Sequence, residues 1–157
     1  MDIWTTLTSK PVLIGLHLGF AILGIDAFLW LLGEVVANAG SMFRRTLAAV
    51  LGLAGFVGAW LIGGYYYVKY YGPIVKPIIK AGSAPWAHAI AMEAKEHIFL
   101  FLIPMAVTAL ILSRLSPDEL DTFKLKNSYI ALLIIISGLA LSLGLMGYII
   151  SAAARWA

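Results

Sequence analysis

The chain has 157 residues, of which 62% are hydrophobic and only 12% charged, and its mean hydropathy is +0.94. Soluble domains average about 45–50% apolar and about 25% charged residues, so composition excludes a disordered chain, a coiled coil and an ordinary cytosolic enzyme. The net charge of +3 comes from 11 basic residues without a basic stripe, which excludes a nucleic-acid partner, and the absence of cysteine excludes disulfides, thiolate metal sites and Fe–S clusters.

What remains is an all-α integral membrane protein whose first partner is the lipid bilayer. A hydrocarbon core of about 30 Å takes roughly 20 apolar residues as a helix. Four stretches reach that length: 11–36, 47–71, 86–112 and 128–153. Their apolar runs are continuous, as in "LAAVLGLAGFVGAWLIGG", whereas a β-barrel strand alternates every second residue. The connections, 37–45, 72–85 and 113–127, are short, so sequential spans are antiparallel neighbours. The sequence therefore predicts a single four-transmembrane-helix antiparallel bundle over 1–157, with no repeat or second domain.

In chain order, the first span carries His17, Asp26 and Glu34. His17 lies six residues past Pro11, about 9 Å deep at 1.5 Å per residue. It shares a helix face with Ala21, Gly24, Phe28 and Val35. Asp26 is on the opposite face with Gly15, Gly19 and Gly33, a small-residue pattern expected to pack against another helix. Small residues at Ala37 and Ala39 resemble a signal-peptidase site. The preceding stretch is too long for a signal peptide, so the first span is expected to be retained.

The second span ends in "YYYVKYY", where Tyr70 and Tyr71 read as an interfacial aromatic belt. Three prolines and two glycines in 72–85 are expected to stop the helix there. The third span holds His88, Glu93, Lys95, Glu96 and His97. Glu93 and His97 are one turn apart on one face, about 10 and 16 Å deep, while His88 and Lys95 point the other way. In the last connection, Ser116-Pro117-Asp118-Glu119 predicts a short capped helix at the interface. Basic residues divide evenly between the two faces, so orientation is poorly encoded.

Ionisable groups inside a span are costly and mark functional sites. His17 and His97, from two spans and at comparable depth, suit the axial ligation of a b-type haem, which needs no cysteine. Glu93 would orient His97 as an outer-shell carboxylate, and Lys95 or Lys69 would pair with propionates. His88 is expected at the water boundary. A second reading makes His17, His97 and Glu93 a two-histidine, one-carboxylate site for a transition-metal ion such as iron or copper. The function expected is electron transfer or haem-linked redox chemistry in the plasma (inner) membrane, as a multi-pass protein. The alternatives are a small metal-ion or proton transporter using the same groups, and a non-catalytic accessory subunit of a larger membrane complex. A homo-oligomer is a further expected partner state.

His17 in "LIGLHLGFAILG", the basic pair Arg44-Arg45 before the second span, and Lys95 in "PWAHAIAMEAKEHIFLFL" together resemble the CopD-like membrane family. The layout is also similar to the bacterial four-helix protoporphyrinogen oxidase. The resemblance implies a haem or metal role for His17 and an accessory role for Lys95. The acids flanking Lys95, and His97, are additions to that pattern.

Overall fold

The computed structural model describes residues 2–39 and 41–156; Gly40 of the first connection, Met1 and Ala157 lie outside the described residues. A short helix α1 (Ile3–Leu7) starts under an Asp2 cap, whose carboxylate accepts from the Thr5 amide at 2.7 Å. The first span is α2 (Lys10–Val36), entered through Pro11 in its first turn. The second begins as α3 (Met42–Tyr66), capped by Ser41. The third ends as α5 (Glu93–Leu112) and the fourth is α7 (Lys126–Ala153). Between them, α6 (Pro117–Thr122) carries a full capping box formed by Ser116 and Glu119, at the position the sequence predicts.

The protein is an all-α, four-span membrane bundle: the four helices long and apolar enough to cross a bilayer are Lys10–Val36, Met42–Ala81, Ala87–Leu112 and Lys126–Ala153. The second differs from expectation. Residues 72–81 do not break the helix, which continues as a π-helical segment (Tyr67–Val75) and then α4 (Lys76–Ala81). The wider π winding accommodates Pro73 inside the helix, and Pro77 falls where the π winding gives way to α4, the change of winding absorbing its missing N–H. The third span also starts with a π-helical segment, Ala87–Met92.

Around the bundle, α2 packs on α3, α3 on α5, α5 on α7 and α7 on α2, so α2 faces α5 across the diagonal. The α2–α3 pair is the tightest. A Cβ at Gly55 would stand 2.6 Å from the Gly24 backbone nitrogen, so the two helices touch through their main chains. Phe28 and Phe56 stack beside this crossing, with centroids 5.3 Å apart, each over a glycine of the other helix. The face of α2 that packs is thus the His17 face. On the opposite face Asp26 is exposed, and Gly15, Gly19 and Gly33 have no neighbour that a side chain would meet, so no other helix of this chain packs there.

The apolar core falls into two clusters. The larger is built on Phe28, Leu31, Phe56, Leu102, Leu133 and Leu143. The smaller holds Tyr71, Val75, Ile79, Ala87, Ala91 and Ile150. On α7 the boundary lies between Leu143 and Ile150, and on the third span between Ala91 and Leu102.

Candidate functional site: a polar layer between the two cores

The boundary between the clusters is where His17 and Lys95 sit. His17 Nδ1 lies 2.8 Å from the carbonyl oxygen of Ala59 on α3. A carbonyl only accepts, so Nδ1 carries the proton and Nε2 keeps its lone pair. Gly63, one turn further along α3, makes room for the ring: a Cβ there would be 2.8 Å from Nδ1. Lys95 lies on the diagonally opposite helix, at the same boundary between the two clusters. Its stem runs over Gly147 of α7, whose Cβ would lie 3.8 Å from Lys95 Cε. Each of the four spans therefore gives one residue to this layer: His17, Gly63, Lys95 and Gly147.

A second constellation lies in the smaller cluster, toward one end of the bundle. Tyr71 is 2% exposed and its hydroxyl is 3.1 Å from Nδ1 of His88, itself 6% exposed. His88 Nε2 is 3.9 Å from a Glu93 carboxylate oxygen, an ion pair when the imidazole is protonated. Tyr67 stacks on Tyr71 at 5.1 Å and lines an open cleft of about 640 Å³ with Gly72, Lys76, Pro77 and Lys80. Tyr71 and His88 each belong to one of the two π-helical segments. Such windings recur at functional sites because they re-aim side chains that an α-helix would direct elsewhere.

The structure does not bring the sequence-predicted residues together as one set. His17 and Lys95 share the boundary layer, each over a glycine of a neighbouring span. His97 lies on the outer surface of α5, with Nδ1 donating to the Glu93 carbonyl at 2.6 Å, and the Glu93 side chain is 48% exposed. Among the described residues, no group of three or more His, Asp or Glu side chains is placed to hold a metal ion. Lys69 is engaged elsewhere, donating to the Thr8 carbonyl at 3.1 Å beside the Tyr70 hydroxyl at 3.0 Å. Sequence reasoning missed Tyr71 and His88, which it assigned to the interface. The available signal was the aromatic run itself, which is long for a belt and ends one residue before Gly72-Pro73.

At the far end of the bundle, Glu34 is 6% exposed and accepts from Trp30 Nε1 at 2.8 Å and from Arg44. Arg45, next to it, is fully enclosed, and its Nε has no partner among the described residues. The Arg44-Arg45 pair is thus split between a surface ion pair and a buried guanidinium.

These features define the class: a four-span helical membrane protein whose apolar core is interrupted by a layer holding His17 and Lys95, with a buried Tyr71–His88 pair in the smaller cluster beside it. Compared with known proteins, the chain matches no family model, no curated protein and no solved structure.

Proposed function

We propose that this chain is a haem protein of the plasma (inner) membrane, in which His17 would hold a b-type haem used in electron transfer or a haem-linked redox step. The observation that carries the reading is the state of His17. Its Nδ1 proton is taken up by a backbone carbonyl and its Nε2 lone pair is left free, the outer-shell arrangement of a metal-binding imidazole. The donor set fits a haem better than a bare ion: one imidazole with a neighbouring cation suits a porphyrin bearing propionates, whereas a bare transition ion takes three or more ligands.

When bound, haem supplies one-electron chemistry at its iron. The protein's part is distinct. The Ala59 carbonyl fixes the His17 tautomer, Gly63 clears space for the ring, and Lys95 holds a negative group near it. Tyr71, His88 and Glu93 move protons between the cleft side and the layer.

Protein purified in mild detergent is expected to show a Soret band, and dithionite should sharpen its α-band. His17→Ala should abolish both, Lys95→Met should weaken haem retention, and His97→Ala should leave the spectrum unchanged. Protein that stays colourless after haem reconstitution overturns the reading. A second reading, proton transport without a cofactor, is favoured by the Tyr71–His88–Glu93 chain. It requires a proton flux in proteoliposomes of colourless protein that is lost in His88→Phe.

A further inference from the structure

We infer that the outer face of α5 is the seat of a second copy of this chain, held by reciprocal contacts between Glu93 of each copy and His97 of the other. The inference leaves the haem ligand His17 untouched but shares Glu93 with the proton path, so the His97→Glu exchange, at a residue outside that path, separates a failure of the dimer from a failure of the haem reading. Along the third span, Trp86, Ile90, Glu93, His97, Leu100 and Pro104 follow one another at alternating spacings of four and three, and every one of them is exposed. From Glu93 on, that spacing is a seam along one side of α5, the pattern by which helices in membranes interdigitate at shallow crossing angles, and the exposed Ile90 and Trp86 continue the apolar surface over the π-helical turn. The seam is apolar except at Glu93 and His97, which lie inside the bilayer span, where an uncompensated ionisable group is costly.

The remaining valences of those two residues select the occupant. The Nδ1–H of His97 is already donated to the Glu93 carbonyl, so its unmet position is Nε2, aimed away from its own backbone. Glu93 has one carboxylate oxygen 3.9 Å from His88, and its side chain is otherwise open. The surface therefore asks for one acidic and one basic group, one helical turn apart, about 6 Å along the axis. A second α5 in the same orientation, related by a two-fold axis along the membrane normal, offers that pair in adjacent layers of the seam. Lipid tails offer neither group. Beside the seam, Trp60, Phe99, Leu100, Ile103 and Pro104 form an outward groove of about 180 Å³, which takes an apolar side chain of the other copy.

The chain contains no cysteine, so single cysteines report proximity without background. Ile90→Cys and Leu100→Cys should each give a disulfide-linked dimer on mild oxidation in native membranes. Ile134→Cys and Leu141→Cys, exposed on α7, should not. Adding Glu93→His or His97→Glu singly to Leu100→Cys should abolish the dimer band, and the double exchange should restore it while helix content stays constant. Absence of seam cross-links overturns the inference. So do equal cross-links at the α7 positions, or a Leu100→Cys dimer that survives the single exchanges.

Discussion

A methyl group at Gly63 would press on the His17 ring, and one at Gly55 would press on the backbone of the neighbouring helix. The two substitutions should separate site from fold. Gly63→Val should leave the bundle assembled and lower haem affinity about 10–100-fold by displacing the imidazole from the Ala59 carbonyl, read by haem titration of detergent-solubilised protein. Gly55→Ala should instead destabilise the α2–α3 pair, whereas Gly15→Ala, with open space around it, should be neutral in a thermal melt. Tyr129→Phe removes a buried hydroxyl that donates to the Ala109 carbonyl at 2.9 Å. That carbonyl also accepts from the Ser113 amide, so the loss should be only about 0.5–1 kcal/mol by denaturant titration. At this scale the sequence was half readable. Helical phase grouped His17 correctly with Gly24, Phe28 and Val35. It also separated Glu93 and His97 from His88 and Lys95, but phase alone does not say which side faces inward. The i, i+4 pairing of two polar residues was read as a site, whereas glycines on neighbouring spans open the interior to the other face.

Helix ends and windings were unevenly legible. The α6 cap follows from local chemistry, and Ser116 and Glu119 close it as their spacing requires. Hydrogen bonds from the Ser116 amide and hydroxyl hold the Glu119 carboxyl below its ordinary value near 4.5. A carboxyl depressed in the folded state adds stability above the unfolded value and loses it as pH falls through the folded one. The α6 helix should therefore loosen in acid below about pH 4.5, the unfolded carboxylate range. NMR titration of Glu119 should show a low midpoint that returns to the ordinary range in Ser116→Ala. After α6, Lys124 adopts a left-handed conformation at φ 56° while Leu125 N–H bonds back to the Leu120 carbonyl, a helix stop that glycine fills without steric cost. Lys124→Gly should raise stability by up to about 1 kcal/mol in the same denaturant assay. The π-helical segments were not legible, because no residue pattern marks that winding. The prolines that promise a break in an α-helix are tolerated where the helix widens.

For the whole molecule, hydropathy and loop length suffice to specify four antiparallel spans, because a bilayer leaves few other ways to satisfy the backbone. They do not specify that the apolar interior comes in two pieces. The smaller piece is tied to the larger through Met146, which packs against both, and otherwise meets it across the His17–Lys95 layer. A boundary of that kind is a weak plane for cooperativity, since few shared contacts are lost when one side opens. The π-helical turns and α4 should then breathe as one unit, exchanging amide hydrogens from Tyr67 to Met92 together and well before the stacked phenylalanines of the larger cluster release theirs. Access to the interior would come through that excursion, and the residence time of anything bound beside His17 would be set by how often one end of the bundle opens while the rest stays folded.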